Sequence, residues 1–232
     1  MSRLLTYGIL SQTPIISGPD SISGLQFWWD FTDSSNRTDD GTTISAVVDK
    51  VGSRNGTAGG NGGAEILLGT NSSGVDYANF NNSPDNWMSF SSNWTLSGEF
   101  TIVVFMKDSR GSTFGITYGG DSVFRYFRAK FGTWRPNSTT YTVGSYGDGY
   151  SGVMLLQRDS SNNVQTFNGA TGLTPIATSA TVNPILRSLG RYNSTTTSSP
   201  VGQVYGWCIY NKVLTSDEKN ILVDYFNNVL EP

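Results

Sequence analysis

The segment Gly202-Gln203-Val204-Tyr205-Gly206-Trp207-Cys208-Ile209-Tyr210-Asn211-Lys212-Val213-Leu214-Thr215 joins an apolar run to the first residue of a helix. Thr215 and Glu218 have the spacing of a capping box, in which each side chain bonds the backbone N–H of the other residue. Apolar residues then recur at the spacing of one helical face: Ile221, Leu222, Tyr225, Phe226, Val229 and Leu230. The sequence therefore predicts one helix over about residues 216–230, packed by its apolar stripe on the rest of the protein.

Short strand-like runs separated by turn signals precede this helix. The aromatic run 25–31 contains Trp28 and Trp29, which point to opposite faces if the run is a strand. Residues 100–106 are apolar enough to be buried on both faces of a sheet. Further runs lie at 113–118, 123–131, 140–146, 152–158 and 164–167, whereas the glycine-rich residues 59–63 are interpreted as a flexible surface loop. This pattern predicts an all-β, two-sheet antiparallel jelly-roll sandwich with one C-terminal α-helix.

The chain length fits a single domain, because β-sandwiches of this size commonly fold as one unit. Residues 1–24 contain Pro14 and Pro19 and show no sustained hydrophobic period. We interpret them as an N-terminal arm or linker, the alternative being a frayed terminus. The sandwich and its helix are predicted over residues 25–232.

The composition restricts the partners of the protein. Charged residues make up only 14% of the chain, and the net charge is −3. Binding to nucleic acid needs clustered lysine and arginine, so no nucleic-acid partner is expected. No stretch is long enough for a transmembrane helix, so no membrane partner is expected either. Such a weakly charged surface favours a protein held in an assembly or presented outside a cell.

The residue types that are absent restrict the chemistry. The chain has no histidine, and Cys208 is its only cysteine, which is predicted to be a small buried apolar residue. Glycoside hydrolysis needs two carboxylates on one groove, but the four glutamates, Glu65, Glu99, Glu218 and Glu231, are far apart in sequence. We therefore predict no catalytic residues, no enzymatic activity and no cofactor. A degenerate hydrolase is the least favoured alternative.

Two sets of residues are candidates for binding sites. Sugars stack on exposed aromatic rings, and Trp134, Tyr141, Tyr146 and Tyr150 lie in or beside loop-like stretches. For each of them, packing in the core or at its rim is the alternative. Loop carboxylates can bind calcium, which makes Asp121 and Asp148 candidate Ca²⁺ ligands, with a turn-forming role as the alternative.

Several segments together resemble the laminin G-like, concanavalin A-like jelly-roll superfamily, in the form found in bacteriophage virion proteins. The closing segment 202–215 is similar to the family's last strand, although Gly206 stands where that strand often has Glu. The segment 47–58 is similar to the family's "Trp-x-Asp-Lys-Ser-Gly-Asn-Gly-Asn" stretch, with Val47 in place of the Trp. Weaker matches lie at 25–30, 100–107 and 152–169.

The resemblance implies a fold that hosts many functions. It favours a non-enzymatic virion structural protein on the particle surface, such as a capsid decoration or head-fibre subunit. Its expected partners are other virion proteins, the major capsid protein or fibre subunits, and further copies of itself in a homo-oligomer. The alternative is a carbohydrate-binding module or tail-fibre adhesin that binds cell-surface glycans.

Overall fold

The computed structural model describes residues 16–60, 62, 65–80, 86–110, 115–119, 122–125, 127–128, 131–134, 141–144, 146, 149–189 and 201–232. A short 3₁₀ helix, Pro19–Ser21, precedes the first strand. The α-helix α1 spans Ser216–Tyr225 and continues as a π-helical turn over Phe226–Leu230. No helix in this described part is long and apolar enough to cross a membrane.

The rest of the described chain is dominated by β-strands. In chain order they are β1 (Leu25–Asp30), β2 (Arg37–Asp39), β3 (Thr43–Val47), β4 (Gly56–Gly60), β5 (Ile66–Thr70), β6 (Asp76–Phe80), β7 (Asn86–Thr95), β8 (Phe100–Arg110), β9 (Gly115–Gly119), β10 (Ser122–Arg125), β11 (Phe127–Arg128), β12 (Phe131–Trp134), β13 (Tyr141–Val143), β14 (Tyr150–Arg158), β15 (Val164–Asn168), β16 (Thr171–Gly172), β17 (Ile185–Leu189) and β18 (Val201–Tyr210).

The strands form a curled antiparallel sheet that folds over on itself into two layers. Along the sheet the order is β10-β9-β17-β7-β4-β3-β5-β6-β18-β8-β14-β15-β16, with β1 paired to β18 and β2 paired to β3. The strands β11, β12 and β13 make a separate small sheet. The predicted all-β antiparallel sandwich with a single C-terminal helix is therefore confirmed.

The main core lies between the two layers and is rich in aromatic side chains. Trp29 and Trp207 have no exposed surface, and their ring centroids are 5.5 Å apart in an edge-to-face arrangement. Phe27 contacts both of them edge to face. From the opposite layer, Met88 and Phe90 of β7 enter the same cluster. Such edge-to-face pairs add to the stabilisation that burial of aromatic area already gives.

A second apolar cluster lies on the outer face of the β18–β8–β14 layer, where the C-terminal helix covers it. Leu222, Phe226 and Leu230 pack there against Trp28 and Cys208. Trp28 and Trp29 thus face opposite sides of β1, as predicted, and Cys208 is fully buried. Residues 100–106 pack on both faces because one face meets the main core and the other meets the helix layer.

The predicted helix start is confirmed in detail. The side chain of Thr215 accepts the N–H of Glu218, and the side chain of Glu218 accepts the N–H of Thr215. Both acidic residues of the first turn, Asp217 and Glu218, also suit the positive end of the helix dipole.

Three details differ from the sequence-based expectations. Gly59 and Gly60 belong to strand β4, paired with Trp87 and Asn86, because glycines leave room for the large neighbouring indole. The run 123–131 is divided between two sheets, since β10 pairs with β9 whereas β11 pairs with β12. Strands β2–β7 and β17 were not predicted. Except for β7 they have only three to five residues, which is too few to show a hydrophobic period, and the polar second half of β7 interrupts the alternation that Met88 and Phe90 begin.

Part of the predicted N-terminal arm packs on the sandwich. Pro19 and Ile22 are buried, and the carbonyl of Pro19 accepts the hydroxyl of Tyr210 at 3.0 Å. The carbonyl of Gly24 accepts the N–H of Asn211. The role of residues 1–15 as an arm stays a prediction, because they lie outside the described residues.

Candidate functional site

A cleft of about 160 Å³ opens at one end of the sandwich, where β1 and β8 begin and β7 and β18 end. Its floor is formed by the buried residues Leu96, Phe100 and Ile209. Its volume is below the roughly 300 Å³ at which pockets for drug-sized ligands begin. The cleft therefore suits one small ring or the end of a longer chain.

The walls of the cleft combine one partly exposed aromatic ring with several polar groups. Trp94 supplies the ring, and Gln26, Glu99 and Asn211 bring two amides and a carboxylate from three separate parts of the chain. All three polar residues are exposed. One oxygen of Glu99 accepts the N–H of Ser160 at 3.1 Å, which orients the carboxylate.

The position of the Trp94 indole is fixed by its neighbours. Its ring packs at 88° against Phe90, with ring centroids 6.3 Å apart, and also contacts Phe27 at 5.8 Å. The guanidinium carbon of Arg54 lies 4.1 Å from the centroid of the indole. Trp94 remains partly exposed, so a ligand would contact its uncovered surface.

The loop that carries Arg54 is held by a buried carboxylate. Asp49 is 4% exposed, and its two oxygens accept the N–H groups of Trp28, Val51 and Arg54 at 3.0–3.2 Å. The carbonyl of Arg54 in turn accepts the indole N–H of Trp29 at 2.8 Å. The backbone of Arg54 is thereby fixed on both sides, which places its side chain over Trp94.

Lys50 anchors the other side of the same loop. Its ammonium pairs with Asp30 at 3.0 Å and Asp33 at 3.1 Å, and it lies 4.2 Å from the centroid of the Trp28 ring. Hydrogen bonds from Ser35, together with Lys50, lower the pKa of Asp33 to about 2. The ion pair between Lys50 and Asp33 therefore persists below the usual titration range of a carboxyl group.

This arrangement is suited to recognition of a polyol. Carboxylates and amide oxygens accept hydrogen bonds from hydroxyl groups, and amide N–H groups donate to them. The indole offers an apolar surface to the C–H face of a sugar ring.

The four aromatic residues predicted to bind sugar fall into two pairs elsewhere in the fold. Trp134 and Tyr141 are cross-strand partners in the small sheet, and Tyr141 is partly buried against the main core. Tyr146 and Tyr150 have ring centroids 4.8 Å apart. Among the described residues, Tyr141, Tyr146 and Tyr150 do not line the cleft at Trp94.

Tyr146 is a structural residue rather than a stacking platform. It is 4% exposed, and its hydroxyl contacts the carbonyls of Leu155 and Phe167 while accepting the N–H of Leu155. Burial raises the pKa of its phenol well above the usual value. A ring without exposed faces cannot stack on a sugar, which corrects the prediction at this position.

Tyr150 is only partly buried, and its hydroxyl contacts the carbonyl of Val153 and the side chain of Asn168, each at 3.0 Å. Burial also raises its pKa. For Tyr150, Tyr141 and Trp134, sugar binding stays a prediction.

The predicted calcium ligands, Asp121 and Asp148, lie outside the described residues. Within the described ranges, no three His, Cys, Asp or Glu side chains are grouped in a way that could hold a metal ion. Calcium binding therefore stays a prediction.

Sequence reasoning missed the cleft because its members converge only in three dimensions. Gln26, Trp94 and Asn211 come from three distant parts of the chain. The available signal was Trp94 itself, an aromatic residue directly after the polar run Ser91-Ser92-Asn93 near a strand end.

Comparisons with known proteins identify the fold. No protein-family model matches the chain, and no curated protein matches it. Solved structures do match. The binding domain of Paraclostridial Mosquitocidal Protein 1 superposes with a TM-score of 0.61 at 10% identity, covering 88% of this chain and 53% of that one.

Two further solved structures are similar. Domain 4 of AbnA, a GH43 extracellular arabinanase from Geobacillus stearothermophilus in complex with arabinotriose, has a TM-score of 0.54 at 14% identity, covering 86% of this chain and 98% of that domain. A structure of botulinum neurotoxin type C, whose cell entry depends on two ganglioside molecules, has a TM-score of 0.53 at 12% identity, covering 80% of this chain and 51% of that one.

The chain also covers 36% of a Trypanosoma rangeli sialidase, with a TM-score of 0.50 and 13% identity. At these identities the likeness shows the β-sandwich fold. These neighbours are toxins and glycosidases rather than virion proteins.

Proposed function

We propose that this protein is a carbohydrate-binding domain that takes a sugar residue in the cleft at Trp94. The observation that carries the proposal is the convergence of one fixed, partly exposed indole with the side chains of Gln26, Glu99 and Asn211. Aromatic rings flanked by a few convergent polar groups are typical of small-ligand sites. The similar folds of a domain solved with arabinotriose and of a toxin that depends on gangliosides support the same class of ligand.

The proposed activity is binding without turnover. Glu99 is the single carboxylate among the described residues that line the cleft. Hydrolysis of a glycosidic bond commonly uses two carboxyl groups separated by about 5–9.5 Å. A carboxylate that accepts hydroxyl hydrogen bonds fits recognition of the sugar.

Glycan-array binding by the full chain, followed by calorimetry on the best ligand, tests the proposal. Trp94→Ala should weaken binding at least about tenfold, because stacking and burial of apolar surface are lost. Glu99→Gln should weaken it less, since an amide oxygen still accepts a hydrogen bond. Folding of each variant is checked by thermal unfolding.

Trp87→Ala is the matched control. Trp87 is the partly buried indole of β7 beside Gly59 and does not line the cleft. Its removal should leave binding unchanged. Loss of binding in Trp87→Ala with full binding in Trp94→Ala would contradict the proposed site, and a folded protein that binds no glycan would contradict the proposed function.

The virion assignment and the location on a particle surface stay predictions. They rest on the sequence resemblance and the composition. A lectin on a capsid surface would combine the virion assignment with the proposed carbohydrate binding. Light scattering of the full chain beside a variant lacking residues 1–15 tests the arm, because Pro19 and Ile22 pack on the sandwich and are kept in this variant. Loss of subunits on truncation would support an assembly role.

A further inference from the structure

The guanidinium of Arg54 is a cation beside the cleft without a carboxylate partner in the described part of the chain. It lies 4.1 Å from the centroid of the Trp94 ring, and no ion pair or side-chain hydrogen bond joins it to another described residue. The carboxylate in its own loop, Asp49, already accepts three backbone N–H groups. Arg54 therefore keeps its full charge and its donors.

The geometry makes these donors available to a ligand. A guanidinium stacked on a ring keeps its N–H groups in its own plane, directed along its edge rather than at the ring. The Arg54 backbone is fixed by Asp49 and by the indole of Trp29, and its side chain is half buried. A preorganised planar fork of this kind matches a carboxylate or a sulfate group with two parallel hydrogen bonds.

We propose that the cleft selects an acidic sugar, with Arg54 binding the anionic group while the ring of the sugar lies against Trp94. This inference rests on the proposed carbohydrate-binding function. Glu99 and Asn211, which line the cleft, then bind hydroxyl groups. The shared chemistry is an anionic group on a sugar, and its source is either a carboxylate or a sulfate ester.

The test is an affinity series on matched oligosaccharides that differ only in this group. Suitable probes are digalactose against digalacturonate, and N-acetyllactosamine against its sialylated and its 6-sulfated forms. The parent protein should bind at least one acidic member about tenfold or more tightly than its neutral counterpart, as expected for a charge-assisted bidentate contact. Carboxylated and sulfated members separate the two sources.

Arg54→Gln should abolish this preference while neutral binding is retained, because the amide can still pack on Trp94. Arg187→Gln is the matched control: it removes one exposed positive charge on β17 outside the cleft and should leave the preference intact. Raising the salt concentration should weaken only the binding of the acidic members.

The outcomes separate the two proposals. Binding of neutral sugars that depends on Trp94 but shows no acidic preference would overturn the role of Arg54 and leave the proposed function standing. An acidic preference that survives Arg54→Gln would also overturn it. Absence of binding to every probe by the folded parent would overturn both.

Discussion

The carboxylate of Asp49 accepts the backbone N–H of Trp28 at 3.0 Å, although the two residues are 21 positions apart. This bond ties the 49–54 loop to strand β1 at the place where Trp28 faces the helix layer. The same carboxylate orders Arg54, so it connects the packing of the fold to the cleft.

Asp49→Ala should destabilise the protein and weaken glycan binding together. Three backbone N–H groups lose their acceptor in a site that is 4% exposed, and one buried unsatisfied donor alone costs about 1–3 kcal/mol. We expect the free energy of unfolding to fall by about 3 kcal/mol, measured by urea denaturation. Asp40→Ala is the control, because the exposed Asp40 makes similar turn bonds to Thr42 and Thr43. An equal loss in both variants would contradict the special role of Asp49.

Lys219→Met should change the pH dependence of stability. Lys219 is 5% exposed with its ammonium 3.5 Å from the centroid of Phe167, and burial lowers its pKa to about 8. Between this value and the pKa near 10.4 of an unfolded lysine, the unfolded chain binds more protons than the folded chain. The free energy of unfolding therefore increases as pH rises through this range. Relative to Lys219→Met, the parent should gain about 2 kcal/mol between pH 7 and pH 10.

Urea denaturation of parent and variant in parallel measures this difference. The comparison is needed because burial raises the pKa of Cys208, which makes both proteins less stable as pH rises above the ordinary thiol range. A difference between the two proteins that stays constant from pH 7 to pH 10 would show that Lys219 is not desolvated in the folded state.

What the sequence could predict depended on how local each feature is. Thr215 and Glu218 are three residues apart, so the capping box can be recognised from the sequence. The opposite faces of Trp28 and Trp29 follow from strand geometry alone. Tyr146 shows the limit of local reading. Its glycine-rich surroundings indicated a loop, yet its hydroxyl reaches the carbonyls of the buried strand β14 and of β15. The exposure of an aromatic ring depends on contacts with distant strands, and the local sequence pattern does not predict these contacts.

Tyr205→Phe and Glu231→Gln should show coupled losses of stability. The hydroxyl of Tyr205 donates to the carboxylate of Glu231, which also pairs with Lys107 and accepts from Asn71. Because this cluster joins the end of the C-terminal helix to β8 and β18, a double-mutant cycle should give a coupling of about 1 kcal/mol at pH 7.

The coupling should decrease in acid. Burial opposes ionisation of Glu231, but Lys107 and Tyr205 outweigh it and lower the pKa of the carboxyl. A depressed pKa gives stability that is present above the unfolded pKa near 4.3 and is lost as pH falls through the folded value. The cycle is repeated at pH 3 by urea denaturation, and a coupling that is equal at both pH values would contradict an ionised Glu231.

Gly56→Ala should destabilise the core by overpacking. A Cβ atom at Gly56 would lie 2.7 Å from Cγ of Met88 and 2.7 Å from Cζ2 of Trp29, and Gly56 itself is buried. Inserting a methyl group into such a core typically costs about 1–3 kcal/mol. The steric origin predicts non-additivity: in the background Met88→Ala, which removes one of the two contacting side chains, the same glycine change should cost at least about 1 kcal/mol less. Thermal and urea unfolding of the four proteins measure the cycle. Additive losses would show that the cost of Gly56→Ala does not arise from contact with Met88.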